Sequence, residues 1–423
     1  MTSGDSNRKQ ILSWAAYDWA NSAFATIILA SFYPIFFREY WSAGSASADI
    51  TFRLGFANSI ASLAIVVLGP VLGAIADRGG MKKRFLLAFL VLGVTSTGAL
   101  YWVARGHWAA ALVLFVLGNL GFMGGNVFYD ALIVLVSPRD RYNQVSALGF
   151  SLGYLGGGLL LAFCAAMTVW PSRFGFEDAS GAVRFSFLLT AIWWAVFSLP
   201  LLLWVREPKV DEGPGIVAAA RAGFVQLAET FREIRQLKTV VLFLAAYWLY
   251  IDGVDTIIRM AVDYGMALGF GPNGLIVALL ITQFVGFPAA IVFGRLGAKL
   301  GAKTGILVAI AVYVGVTFWA FFMNEQWEFY AMAITIGLVQ GGVQALSRSF
   351  FAGIIPEDKS AEFFGFYNML GKAAAVVGPV LVGWVGVVTG NPRAGILSLL
   401  VLFLGGATLL YFVDAGSTAD SMS

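Results

Sequence analysis

Twelve apolar segments, each long enough to cross a bilayer, recur along this chain. They lie near 12–37, 54–76, 84–104, 108–136, 143–170, 185–205, 239–262, 273–294, 304–323, 328–352, 362–387 and 394–413. A spanning helix needs ~20 mostly apolar residues. Backbone in lipid must satisfy its own hydrogen bonds, which leaves helices or a closed barrel. Barrel strands would read as ~10-residue alternating segments. These segments are continuous and rich in Leu, Ala, Val and Gly, so we read twelve transmembrane helices and an all-α membrane protein. Composition excludes a water-soluble chain. Hydrophobic residues make up 59% and charged residues 12%, with a mean hydropathy of +0.81. A soluble domain carries about 25% charged residues. Trp102, Trp108, Trp170, Trp204 and Trp327 fall near segment ends, where amphipathic rings anchor at the interface.

Orientation follows from Lys and Arg, which concentrate on the cytoplasmic side. With the N-terminus inside, cytoplasmic segments hold 18 of them, from Arg8 to Lys359. External segments hold six: Arg38, Arg53, Arg105, Arg173, Arg184 and Arg393. Both termini are therefore expected in the cytoplasm, in a plasma (bacterial inner) membrane. The first ten residues run directly into an apolar segment containing Asp18, with no small-residue cleavage site, so no removable signal peptide is expected. One cysteine, Cys164, and one histidine, His107, leave no disulfide and no multi-histidine metal site. No nucleophile–base–orienter set is visible, so we expect no enzyme, no metal and no cofactor. Nothing points to nucleic acid.

The chain repeats. Ala15-Ala16-Tyr17 and Thr26-Ile27-Ile28 recur as Ala245-Ala246-Tyr247 and Thr256-Ile257-Ile258, at an offset of 230. Gly73, Gly80 and Lys82 match Gly294, Gly301 and Lys303; Gly124, Pro138 and Gly153 match Gly342, Pro356 and Gly371. Offsets that drift only across loops fit a duplicated fold. We expect a six-helix half at 1–205, a cytoplasmic connector at 206–238 and a second half at 239–423. Two parallel six-helix, pseudo-symmetric halves with the site between them describe the major facilitator architecture. In the connector, Phe224, Leu227, Phe231 and Ile234 space as an amphipathic helix on the inner membrane surface.

Between spans two and three the chain reads Gly73-Ala-Ile-Ala-Asp77-Arg78-Gly79-Gly80-Met-Lys82-Lys83-Arg84. This resembles the signature loop of the major facilitator superfamily. Glycines turn the loop tightly. Asp77 can accept from a helix N-terminus or a basic side chain. Such contacts hold the halves together in one conformation and break in another. We expect a gating loop built from Gly73, Asp77, Arg78, Gly80, Lys82 and Arg84. In the second copy Ala298 stands at the place of Asp77, so that half lacks the acid. In span one, Tyr17-Asp18-Trp19-Ala20-Asn21-Ser22-Ala23-Phe24 resembles the opening of the autophagy-linked vacuolar amino-acid effluxers of fungi and their bacterial relatives. The resemblance implies a proton- or potential-linked exporter of small solutes, amino acids among them. Gly297-Ala-Lys-Leu-Gly-Ala302-Lys303-Thr304 nearly spells a phosphate-binding loop, but Ala302 replaces the second glycine between membrane helices, so no nucleotide is expected.

An ionisable group inside a span costs ~2.5–3.5 kcal/mol on the insertion scale, so it faces a cavity or a partner. Span seven carries Asp252, Asp255 and Arg259 on one helix face. Asp255 and Arg259 are four apart and should pair. Asp252 is then expected in the central cavity as the coupling acid. Span four offers Asn119, Asn126 and Asp130; its repeat mate, span ten, offers Gln340, Gln344 and Arg348. At an offset of 218, Asn126 matches Gln344 and Asp130 matches Arg348, placing opposite charges at equal depth. Asp18 and Asn21 on span one, with Asn368 and Lys372 on span eleven, complete the candidate cavity. Acids and cations together suit a zwitterion. We expect a monomeric secondary transporter of a small polar solute, working by alternating access with a proton or other coupling ion in the bilayer. A cation-coupled sugar symporter and a non-transporting receptor or scaffold are the alternatives.

Overall fold

A computed structural model describes residues 3–208, 237–267, 272–374 and 377–414. Its architecture is all helical. The first half runs α1 (Ser3–Ala23), α2 (Ser47–Gly79), α3 (Lys82–Ala99), α4 (Trp108–Ala131), α5 (Tyr142–Val169) and α6 (Ala179–Trp204). The second runs α7 (Lys238–Ala267), α8 (Pro272–Leu300), α9 (Ala302–Phe322), α10 (Gln326–Ile354), α11 (Ser360–Ala374), α12 (Val377–Thr389) and α13 (Leu400–Tyr411). Among the described residues, eleven helical stretches are long and apolar enough to cross a membrane. The expected span at 362–387 is described as α11 and α12, on either side of residues 375–376, which lie outside the described residues. The amphipathic segment from Phe224 to Ile234 lies outside the described residues.

Span one also departs from a plain α-helix. After Ala23 it winds as a π-helix over Phe24–Leu29, breaks at Ser31, and resumes at Phe32–Phe36. Ser31 Oγ donates to the freed Thr26 carbonyl at 2.7 Å, so the break leaves that carbonyl satisfied. Large apolar side chains face outward, including Val387 at 83% and Phe52 at 71% exposure. Such a surface needs lipid around it. Inside, Trp14, Tyr17, Trp41, Tyr129 and Trp194 are fully buried.

The halves meet along two seams. In one, α2 lies on α11 so closely that a methyl on Gly73 would strike the Ala361 carbonyl. A methyl on Gly365 would likewise come within 2.7 Å of the Gly69 carbonyl. In the other, α5 lies on α8: Ser151 Oγ donates to the Phe287 carbonyl at 2.9 Å, and a methyl on Gly286 would meet the Tyr154 ring at 2.8 Å.

Candidate functional site: a charged cavity between the halves

A cavity of about 340 Å³ opens between the halves. That is the size range of pockets for small ligands, ~300–1,000 Å³. Its wall includes Asp18, Asn21, Asn126, Asp130, Asp255, Gln340, Gln344, Arg348 and Asn368. All nine are among the candidate cavity residues read from the sequence. The side chains of Arg259 and Lys372 lie outside the described residues, so the expected Asp255–Arg259 pair is not described.

The floor of the cavity is a charge cluster around Arg348. This residue comes from α10, in the second half, yet everything that grips its guanidinium comes from the first. Nη2 donates to Asp18 Oδ2 and Nη1 to Asp130 Oδ1, each at 3.1 Å. Nε donates to Ser146 Oγ and Nη2 to the Ser146 carbonyl, each at 2.9 Å. The rings of Phe150, Trp14 and Tyr129 surround it at 4.3, 4.8 and 5.3 Å. Cation–π contacts of this kind strengthen where water is excluded. The carboxylates are themselves held. Tyr129 Oη donates to Asp18 Oδ2 at 2.7 Å, and Asn368 Nδ2 donates to Asp130 Oδ2 at 3.1 Å. Both bonds to Asp18 land on Oδ2, whereas Asp130 uses both oxygens. Gly149 makes the socket fit, since a methyl there would collide with Asp18 Oδ2.

Higher in the cavity, Asn21 Nδ2 donates to Asn126 Oδ1 at 2.6 Å, and Tyr154 Oη donates to Gln344 Oε1 at 3.3 Å. Gln283 on α8 donates to Thr26 Oγ1 at 2.8 Å, crossing from one half to the other. Sequence reasoning missed Ser146, Thr26 and Gln283. Gln283 carried a signal, as a lone amide in a long apolar span. Ser146 carried none, because a serine in a helix is ordinary until its neighbours are known.

Asp252 is a correction. It was expected in the central cavity, but Asp255 is the span-seven acid on the wall. Asp252 is 1% exposed and turned toward α12, where its Oδ2 accepts from the Gly378 N–H at 2.8 Å. Thr256 Oγ1 donates to its other oxygen at 3.4 Å. The two acids are three residues apart, about 60° around the helix, and that angle separates cavity from packing face.

On the loop side of the cavity, Asp77 sits at the α2–α11 seam. It accepts from the N–H groups of Ala361 at 3.1 Å and Glu362 at 2.8 Å, in the first turn of α11. Orphan N–H groups and the helix dipole favour a carboxylate there. Lys82 Nζ closes a buried pair with Asp77 at 2.8 Å. Gly80 ends α2 in the left-handed region, at φ 56°, which glycine adopts freely. Arg78 and Arg84 are exposed at this face. Nearby, Arg139 and Glu357 join the halves at 2.9 Å on the surface.

Two pseudo-symmetric six-helix halves around a polar, charge-lined central cavity define a membrane transporter of the major facilitator fold. Solved structures share that fold over nearly the whole chain. The proton:xylose symporter XylE aligns with a TM-score of 0.75 at 12% identity, over 98% of this chain and 97% of its own. The human organic anion transporter MFSD10 aligns with a TM-score of 0.74 at 16% identity, over 96% and 99%. The chain belongs to the Atg22-like family: the family model described as "Vacuole effluxer Atg22 like" matches residues 51–421. The MFS-type transporter YxiO of Bacillus subtilis is 38% identical over 97% of this chain and 96% of its own length. Autophagy-related protein 22 of Coccidioides immitis is 24% identical over 97% and 87%.

Proposed function

We propose that this transporter exports a small polar solute, an amino acid in the first instance, by proton-coupled alternating access. It acts as a monomer in the plasma (bacterial inner) membrane with both termini in the cytoplasm. The observation that carries the reading is the Arg348 socket. One guanidinium from the second half is shared by two carboxylates of the first, on the wall of the cavity. While both acids are ionised, the grip is strong and the halves stay together on the Asp77 face. A proton on one acid removes half of the negative charge and weakens the grip. Asp18 Oδ1 takes none of the cluster's hydrogen bonds, so a proton placed there displaces none of them. Proton binding then favours separation on the Asp77 face, and Asp77 lets go of α11 as a latch. The halves 1–205 and 239–423 move as bodies, joined by the connector 206–238. The basic bias of 18 to six supports the orientation. The family description as effluxer supports the direction.

The cavity's amides and tyrosines also suit a polyol, which keeps a cation-coupled sugar symporter as the second reading. Ligands that bind the native state raise its melting temperature by mass action. Purified protein screened against amino acids and sugars should melt higher with amino acids only. Stabilisation by sugars alone favours the second reading.

A further inference from the structure

The connector between the halves begins where α6 ends, and its first residues are fastened to the loop that carries Asp77. Glu207 Oε1 accepts from the Lys82 N–H at 2.7 Å, and its Oε2 accepts from the Lys83 N–H at 3.1 Å. Lys83 Nζ donates to the Val205 carbonyl at 2.6 Å. Glu207 therefore caps α3 from far away in the sequence, satisfying two orphan N–H groups. The capped residue, Lys82, is also the cation that holds Asp77. Asp77 in turn holds the first turn of α11. Three links in series thus run from the connector to the opposite half: Glu207 to α3, Lys82 to Asp77, and Asp77 to α11.

The second half shows which part of this is merely structural. Lys303, the repeat mate of Lys82, donates to the Tyr411 and Val413 carbonyls, both at 2.7 Å, at the end of α13. Pinning the exit of the last span to the loop after the second span is therefore common to both halves, and a lysine does it alone. In the second half that lysine is used up in the pin, and Ala298 stands where an acid would be. In the first half Lys83 makes the pin. Lys82 is left to turn toward Asp77, with its backbone fixed by Glu207. An anchor by itself needs no Glu207.

We infer that Glu207 is a positioning residue for the gate on the Asp77 face. It ties the end of α6 to the backbone of Lys82, so that losing this tie loosens Asp77 from α11. The inference rests on the reading of Asp77 as a latch.

The test uses the full chain in sealed vesicles that present the Asp77 face. Ala25→Cys on the cavity wall reports opening, with the buried Cys164 replaced by serine. A membrane-impermeant maleimide is added on that face. Loss of a helix cap is worth about fivefold in an equilibrium, so Glu207→Gln should speed labelling about fivefold. Asp77→Asn should speed it at least as much, and the double variant no further. Lys303→Gln should lower the melting temperature without speeding labelling. Should Glu207→Gln not fold, Glu207→Asp should give the same change at smaller amplitude. Wild-type labelling in Glu207→Gln beside fast labelling in Asp77→Asn would reduce Glu207 to a helix cap and leave the latch standing. Effects that multiply in the double variant would make Glu207 independent of Asp77, against the inference. If neither single variant changes labelling, the latch reading itself fails and this inference falls with it.

Discussion

The two seams between the halves are built from different chemistry. Along α2–α11, a buried Asp77–Lys82 pair and two charge-assisted bonds to a helix N-terminus sit beside glycine backbones in direct contact. Along α5–α8, the contacts are neutral. Ser151 reaches the Phe287 carbonyl, and Gly294 faces the Ala147 methyl. Ala298 occupies the position that matches Asp77. Charge-assisted bonds to a helix end are short, directional and either made or lost. Neutral bonds and smooth apolar faces allow small sliding movements. On the proposed reading the duplicated sequence gives one seam a latch and the other a pivot, and the difference lies in the acid together with a lysine turned toward it.

Three substitutions press on that contrast. Arg348→Met should have the largest effect, because it leaves Asp18 and Asp130 buried without their cation. Removing one partner of a buried pair costs about 3–5 kcal/mol. Gradient-driven transport should vanish and the melting temperature should fall; a variant as stable and active as wild type would show that the socket is ornamental. Asp77→Asn comes next. It keeps one acceptor for α11 but loses the charge and the Lys82 pair, about 1–2 kcal/mol. Transport should slow several-fold while substrate affinity, read by thermal shift, stays within a few-fold. Loss of binding without any change in rate-limiting opening would remove Asp77 from the gate. Ala298→Asp should do least. The matching seam lacks the Lys82 geometry, since Lys303 is engaged at the end of α13. Transport should change less than about twofold, the scale of a surface substitution. A large gain in closure would mean that the acid alone makes a latch.

Much of this was legible in the residues, for identifiable reasons. Long, continuous apolar segments fix spanning helices, because lipid leaves only helices or a closed barrel and these segments lack the ~10-residue alternation of barrel strands. Asp77 could be placed at a helix N-terminus because a lone acid in a short glycine-rich loop has few other partners. The repeat offset put Asp130 opposite Arg348, and the two are bonded at 3.1 Å. What the repeat could not supply was the third member, Asp18, since contact among spans one, four and ten depends on how helices pack and leaves no mark in local spacing. The same gap explains the misplacement of Asp252. Periodicity places both on one side of α7, but the rotation of the helix about its axis decides which of them meets the cavity. That rotation is set by the packing of α7 on α12 and α13, through contacts such as Asp252 with Gly378.

The central claim is that a proton on Asp18 releases Arg348 and so couples the gradient to movement of the halves. Asp18→Asn mimics the protonated acid permanently while keeping a hydrogen-bonding group of the same size. In proteoliposomes with a pH gradient, the account predicts that gradient-driven transport is lost while solute exchange without a gradient survives. Wild-type gradient-driven transport by Asp18→Asn would contradict it.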